Sequence, residues 1–342
     1  MESCLEHNMP LPPSGARVVV AMSGGVDSAV TAMLLREAGC VCTGVTFLVL
    51  PASASEMGPH AAAGAKGICD ALGMDHIALP VDAAFESLVV APFVAEYAAG
   101  RTPNPCVVCN RRIKFQSLED VADRVGARHI ATGHYARTGV LGTRAGLFRG
   151  VCAAKDQSYV LANLRQDQLG RACFPLGRFA GKEEVRALAQ ARGLPCASSA
   201  DSQEICFLEG RHYADFLEER LGAGTPGPIR TLDGTYLGEH RGLYRHTIGQ
   251  RRGLGLPSQE PWYVARLDYE NNTIYVGRGG QTACVSFTTG PANWVGVEPG
   301  APLEGCTVQL RYRHRPAPCE VTLLEDGLSV CFHAPERGVT PG

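Results

Sequence analysis

The sequence predicts an α/β protein. A doubly wound parallel-sheet domain comes first, a small linking α+β domain follows, and a C-terminal β-barrel-like domain closes the chain. Three observations predict it. Apolar strand patterns alternate with helical ones through roughly the first two hundred of the 342 residues, and such alternation makes a parallel sheet covered on both faces. The breaker-rich stretch Gly222-Ala-Gly-Thr-Pro-Gly-Pro228 then interrupts the chain. Beyond it the texture turns to short alternating strands with tight turns. The expected boundaries are 1–210, 211–281 and 282–342.

Strands are expected at Val18–Ala21, Val41–Leu48, Ile77–Pro80 and His129–Thr132, where β-branched residues cluster. Helices are expected at Ala29–Ala38, Ala61–Leu72 and Ile113–Val125, then at Lys182–Arg192 and Tyr213–Leu221. Tyr263–Asp268 and Thr273–Val276 flank Glu270-Asn-Asn272 and read as a hairpin. Thr307–Tyr312, Glu320–Leu324 and Leu328–His333 suggest a small barrel. Ligands of doubly wound sheets bind at the carboxyl ends of the strands. That rule puts the turn after Ala21, Phe47 and the Gly133-His134 turn on one rim.

Composition narrows the class. Apolar residues make up 45% of the chain and mean hydropathy is −0.03, which fits a globular protein with real cores. Residues 1–15 hold acids and paired prolines without an apolar run, unlike a signal peptide or an anchor, and no stretch approaches a membrane span. The expected location is the cytoplasm. Fourteen cysteines in that setting should be reduced thiols. Cys40, Cys42 and Cys69 lie in apolar stretches and read as small buried hydrophobes. The net charge of −2 leaves only local patches for nucleic acid. The basic residues are 4 Lys and 28 Arg, a bias that a GC-rich genome would also give.

The most informative segment is Ser23-Gly-Gly-Val-Asp-Ser28, directly after the strand Arg17–Met22 and before a helix. Glycines let backbone N–H groups approach a phosphate, and a helix N-terminus adds a favourable dipole. Ser23 and Ser28 can offer hydroxyls. Asp27 would repel a bare anion, so it implies Mg²⁺ beside the phosphates or a helix cap. No Gly-Lys-Ser/Thr ending follows, which excludes the kinase-type loop. The second informative segment is Thr102-Pro-Asn-Pro-Cys-Val-Val-Cys-Asn-Arg-Arg-Ile-Lys-Phe115. Two prolines stiffen it. Cys109 should sit at the start of a helix near Arg111, Arg112 and Lys114, a setting that lowers a thiol pKa. The third is Asp201-Ser-Gln-Glu-Ile-Cys-Phe207, with Cys206 far from Cys109 in sequence.

The glycine loop resembles that of the pyrophosphate-loop ATPases, which adenylate an oxygen with ATP and let a nucleophile displace AMP. The further motifs resemble one family within them, the bacterial tRNA-specific 2-thiouridylases. They are Gly-Arg-Thr-Pro-Asn-Pro (100–105) with Cys-Asn (109–110), Ala-Thr-Gly-His-Tyr-Ala (131–136), Lys-Asp-Gln-Ser-Tyr (155–159), Asp-Ser-Gln-Glu-Ile-Cys-Phe (201–207), Thr-Ile-Gly-Gln-Arg-Arg-Gly-Leu-Gly (247–255) and Arg-Tyr-Arg (311–313). The resemblance covers nearly the whole chain. It implies that Ala21, Met22, Ser23, Gly24, Gly25, Val26, Asp27, Ser28, Phe47 and Gly133 hold ATP with Mg²⁺. It implies adenylation of the wobble uridine C2 oxygen in tRNAs for Lys, Glu and Gln. Cys206 would carry a persulfide from a sulfur-relay carrier protein, and Cys109 would release the sulfur through a disulfide with Cys206. Asn104, Pro105 and Cys106 would touch the target base. His134, Lys155, Asp156, Gln157, Arg311 and Tyr312 would contact tRNA.

The chain departs from that family's pattern in three places. Position 106 usually carries Asp and here is Cys. Cys106, Cys109 and Cys206 could therefore hold a [4Fe-4S] cluster whose open iron binds inorganic sulfide, or Cys106 could pair with Cys109 as a redox dithiol, or be a tolerated change. The cluster is the favoured expectation. Ala197-Ser-Ser-Ala200 stands where lysine is usual. The sequence ends at Gly342 where the family continues into a last strand. Two other readings remain: an amide-forming pyrophosphate-loop synthetase, and an RNA-binding homologue without catalysis.

Overall fold

The structure is a computed structural model that describes residues 11–51, 57–197, 205–312 and 314–342. The expectations on Met1–Pro10, on Ser198-Ser-Ala200, on Asp201-Ser-Gln-Glu204 and on Arg313 lie outside the described residues. The chain forms two compact units: residues 1–89, 106–207 and 293–299 make the first, and residues 90–105, 208–292 and 300–342 the second.

The first unit is built on a parallel sheet of β1 (Arg17–Ala21), β2 (Val41–Leu48), β3 (Asp75–Pro80), β4 (His129–Ala131) and β7 (Ala172–Cys173), in the order β3-β2-β1-β4-β7. Strand β1 pairs with β2 from Arg17↔Val41 to Ala21↔Val45 and with β4 from Val18↔His129 to Val20↔Ala131. Its three valines show why the sheet is covered on both faces. Val18 and Val20 enter a core with the helix Val26–Glu37, while Val19 points into a second core with Phe115, Leu118 and Val121. Cys40, Cys42 and Cys69 lie in the first core, as expected of small hydrophobes. Burial pushes the Cys42 thiol up to about 12 and the Cys69 thiol up to about 11. Strand order reverses at β1, with β2 added on one side and β4 on the other, so the turns after β1 and β4 meet at the switch point.

The hairpin of β5 (Ala136–Leu141) and β6 (Arg144–Arg149) was not expected from the sequence. Helices also fill 82–98, a stretch too evenly apolar for periodicity to reveal. The helix Val26–Glu37 starts three residues before its expected onset. The helix expected at Ile113–Val125 starts instead at Pro105, passes through a π-helical turn at Asn110–Phe115, and continues to Val125. Proline suits the first helical position because its φ is already helical and its missing N–H has no partner there.

The second unit holds two four-stranded sheets. One has the order β10-β11-β8-β9, from β8 (Gly227–Thr231), β9 (Tyr236–His240), β10 (Tyr263–Asp268) and β11 (Thr273–Gly277). The β10–β11 pair is the expected hairpin, antiparallel from Tyr263↔Gly277 to Asp268↔Thr273. The other has the order β12-β15-β14-β13, from β12 (Ala283–Thr289), β13 (Thr307–Val308), β14 (Ala317–Leu324) and β15 (Gly327–Arg337). The strand expected at Thr307–Tyr312 is only two residues long, since Arg311 and Tyr312 turn away into a bend. Ile229, Val264, Ile274 and Val276 form the core of the first sheet, and Cys319, Val330 and Phe332 that of the second. Among the described residues, no helix is long and apolar enough to cross a membrane.

Candidate active site

The turn after β1 closes on itself. Ser28 is buried, donates its hydroxyl to the Gly25 carbonyl at 3.0 Å, and accepts the Ser23 N–H at 3.2 Å. Ser23 is exposed, with its hydroxyl 3.2 Å from that of Ser28. Gly24 takes φ +78, and a Cβ there would lie 3.1 Å from the Ala61 carbonyl, so this position requires glycine. Gly25 is the cap of the helix Val26–Glu37 and supplies no side-chain acceptor. The N–H groups of the first turn therefore have no acceptor within the helix and face the rim, an arrangement that suits a phosphate. Ser28 braces this loop, so the hydroxyl left for a ligand is that of Ser23.

Asp27 lies in the first turn of the helix and is not its cap. Its Oδ1 accepts the Tyr135 hydroxyl at 2.8 Å, and its Oδ2 accepts Lys182 Nζ at 2.5 Å. Lys182 is buried, at 8% exposure, although a third of the Asp27 side chain stays open. Sequence reasoning missed both partners. Tyr135 stood in a quoted motif without a role, and Lys182 opened a helix as an ordinary charged residue. The signal that could have found Lys182 is the scarcity of lysine in an arginine-rich chain.

Gly133 fits because it has no side chain. A Cβ there would lie 3.0 Å from the Asp27 carbonyl carbon and 3.1 Å from the Ser28 nitrogen. Met22 is buried in the first core, and Ala21 and Phe47 pack half-buried against the second. The buried Thr46 hydroxyl donates to the Met22 carbonyl at 2.8 Å, which ties the start of the loop to β2.

Cys106, Cys109 and Cys206 fall in the same unit and act electrostatically on Lys114. The sequence suggested a lowered thiol pKa at Cys109, and the structure overturns it. Cys109 sits a full turn inside its helix and is buried at 6% exposure. Burial pushes its thiol up to about 11; the Lys114 ammonium pulls it down, while Cys206 and Cys106 push it further up. Residue Cys206 is exposed, yet its thiol lies in crowded surroundings, and desolvation raises its pKa too. Both are thus neutral thiols at rest. At pH 7 the Cys109 thiolate fraction is about 10⁻⁴, against a few per cent for an ordinary cysteine. Alkylation followed by mass spectrometry should therefore modify Cys206 well before Cys109. The Cys109 rate should climb about tenfold per pH unit from pH 8 to 10, and a Cys109 rate already flat by pH 8 would contradict the assignment.

The Thr132 hydroxyl lies 2.6 Å from His134 Nδ1. Burial and the Lys114 ammonium lower the His134 pKa to about 3, so its imidazole is neutral. Asp156 is buried, and its carboxylate accepts from the Gly150 and Ser158 N–H groups at 2.9 and 3.2 Å and from the Ser158 hydroxyl at 2.8 Å. Gln157 Oε1 accepts the Tyr135 N–H at 3.0 Å. Asp156 thus braces its own loop, and Gln157 ties that loop to Tyr135. Lys155 is half-buried. In the second unit Asn104 is exposed, Pro105 is buried, and Arg311 and Tyr312 are exposed. Arg311 Nη1 donates to the Arg337 carbonyl at 3.1 Å.

Three family models match the chain. They describe a tRNA methyl transferase HUP domain at residues 16–210, a tRNA methyl transferase PRC-barrel domain at 214–278, and an Aminomethyltransferase beta-barrel domain at 285–342. The tRNA-specific 2-thiouridylase MnmA of Trichlorobacter lovleyi is 42% identical over 335 residues, covering 96% of this chain and 92% of that protein. The protein of the same name from Proteus mirabilis is 41% identical over 342 residues, covering 96% and 93%. Among solved structures, the U34-tRNA thiolase NcsA from Methanococcus maripaludis with its [4Fe-4S] cluster aligns with 61% of this chain and 68% of its own, at TM-score 0.39 and 20% identity. A 4-thiouridine synthetase–RNA complex with bound ATP aligns with 60% and 50%, at TM-score 0.40 and 18% identity. Likenesses this distant do not bear on the chemistry.

Proposed function

The chain belongs to the tRNA-specific 2-thiouridylase family, and from that premise we propose that it replaces the C2 oxygen of the wobble uridine with sulfur in cytoplasmic tRNAs for Lys, Glu and Gln, converting ATP to AMP and pyrophosphate. The observation that carries this reading is the gathering of Cys109 and Cys206, distant in sequence, around Lys114 in the unit that also holds the glycine loop. An amide-forming synthetase has no use for that pair, and an inactive RNA-binding homologue would not need it.

The chain's own groups divide the work. The first-turn N–H groups and the Ser23 hydroxyl take the phosphates. Asp27 is an oxygen donor of the kind a hard cation prefers, and it would hold Mg²⁺, which neutralises phosphate charge. A uridine oxygen leaves readily only once it carries AMP. A persulfide on Cys206 then attacks C2, forming a C–S bond as the C–O bond to AMP breaks. Cys109 attacks the Cys206 sulfur, the persulfide S–S bond breaks, the thiocarbonyl is left on uridine, and a Cys109–Cys206 disulfide forms. An external dithiol must reduce that disulfide before the next turnover.

A sulfur-relay carrier protein supplies the persulfide in this reading. Within the first unit Cys106, His134, Lys155, Asp156 and Gln157, and within the second Asn104, Pro105, Arg311 and Tyr312, are proposed as contacts for tRNA. The three domains at 1–210, 211–281 and 282–342 are proposed on the sheet and core that each encloses.

The alternative donor, sulfide on a [4Fe-4S] cluster, needs Cys106, Cys109 and Cys206 set as ligands. Among the described residues, no group of three His, Cys, Asp or Glu is arranged to hold a single metal ion, and no step is drawn through a cluster. Anaerobically purified protein, its iron and acid-labile sulfide, and tRNA thiolation with a persulfide donor provide the test. Thiolation without iron, retained in C106S, supports the relay. About four irons per chain, lost in C106S, would replace it with cluster chemistry. Pyrophosphate exchange that responds to an amino acid and not to tRNA would remove the thiolation reading altogether.

A further inference from the structure

The turn that follows β4 touches two elements at once. On one side Gly133 lies against Asp27 and Ser28, closely enough that a Cβ would lie 3.0–3.1 Å from both residues. On the other side Tyr135 is bracketed by Gln157: the Tyr135 N–H donates to Gln157 Oε1 at 3.0 Å, and the Gln157 N–H donates to the Tyr135 carbonyl at 2.9 Å. A Cβ on Gly150 would lie 2.9 Å from the same carbonyl. The Asp156 carboxylate binds the Gly150 and Ser158 N–H groups and so fixes the loop that carries Gln157. Tyr135 itself is buried at 3% exposure, and its hydroxyl reaches Asp27 Oδ1 at 2.8 Å.

We propose that Tyr135 is a positioning residue for Asp27, set by Gln157, through which RNA contact at the Lys155–Gln157 segment changes the ATP affinity of the glycine loop. This rests on the thiolation reading above, since that reading brings tRNA to Lys155. The physical argument is short. A buried phenol bracketed at both backbone groups cannot swing freely, so a shift of the 150–157 loop must move its hydroxyl relative to Asp27. Asp27 stands where phosphate charge arrives. A change in how well its own charge is covered changes the free energy of bound ATP. Lys182 covers the other oxygen, and Tyr135 is the partner that Gln157 hydrogen-bonds directly.

The test uses full-length protein and an unmodified transcript of a glutamate tRNA. ATP affinity is measured by calorimetry with and without saturating transcript, and transcript affinity with and without ATP. In the wild type the transcript should tighten ATP by at least about fivefold, and ATP should tighten the transcript by the same factor, because coupling is reciprocal. In Y135F, which keeps the ring and loses the hydroxyl, both ratios should fall to within about twofold of unity. Q157L should do the same, whereas Q157E, which keeps the acceptor, should restore the ratio. Melting temperatures identify any variant lost to misfolding, and agreement between Y135F and Q157L then decides. Wild-type ratios near unity, or a full ratio in Y135F, overturn the role of Tyr135. If wild-type protein neither forms AMP nor thiolates the transcript, the activity reading itself fails and this inference falls with it.

Discussion

Replacing Lys182 with methionine should cut ATP-dependent AMP formation by about two to three orders of magnitude while the protein stays folded. Methionine matches the length of the lysine stem and suits a nearly buried site, so packing is largely kept. The charge balance is not kept. Asp27 places a negative group at a loop built for phosphates, and Lys182 Nζ at 2.5 Å cancels it. Without the ammonium, the carboxylate faces a triphosphate with only the Tyr135 hydroxyl beside it. Two like charges about 4 Å apart near a protein surface repel by roughly 4 kcal/mol before solvent screening, and the partial exposure of Asp27 reduces that. The loss should appear mainly as a raised KM for ATP, relieved in part by high Mg²⁺. In the double variant D27N/K182M the two losses should not add, because both changes act on the same ion pair. Pyrophosphate release measured for the four proteins of this cycle decides. A K182M enzyme within threefold of wild type, or strictly additive losses, would remove Lys182 from the ATP site.

The legible parts of this molecule are those where local sequence and final structure ask for the same thing. The valines of β1 are apolar on both faces because the sheet is covered on both, so strand and layer could be read together. The glycine loop was readable because its φ and close contacts leave glycine little alternative. Elsewhere the decisive contacts are long-range. Lys182 lies 155 residues from Asp27 and Tyr135 lies 108 residues away, and no local pattern announces either pairing. Cys109 shows the opposite failure. Its basic neighbours were visible in sequence, but the helix begins earlier, at Pro105, and buries the thiol a turn inside. Burial then outweighs the nearby ammonium. At Cys109 a short-range reading of charge gave way to packing. The lysines carry more information than their motifs did: of the four in the chain, Lys114 meets the thiols and Lys182 meets the loop carboxylate.

Cys206 and Cys109 should fail differently when replaced by serine, and the difference separates sulfur carrier from sulfur releaser. C206S has no sulfur to take up a persulfide, so thiolation should fall by at least about a thousandfold while tRNA-dependent AMP formation persists. C109S can still form the persulfide on exposed Cys206 and can still attack C2, but the product remains tethered through sulfur to Cys206. A small external thiol can perform the cleavage proposed for Cys109. Excess dithiothreitol should therefore restore thiolation to C109S by about tenfold or more and leave C206S inactive. The raised Cys109 pKa sharpens this expectation. A buried thiol with a pKa of about 11 is a poor nucleophile at neutral pH, so on the proposed relay the external thiol should cleave faster as it is made more concentrated. Thiouridine quantified by mass spectrometry, beside AMP release from the same reactions, gives both readings. Rescue of C206S by dithiothreitol with a persulfide donor would show that the donor bypasses Cys206, and equal failure of both variants under reductant would place the two thiols in a single step.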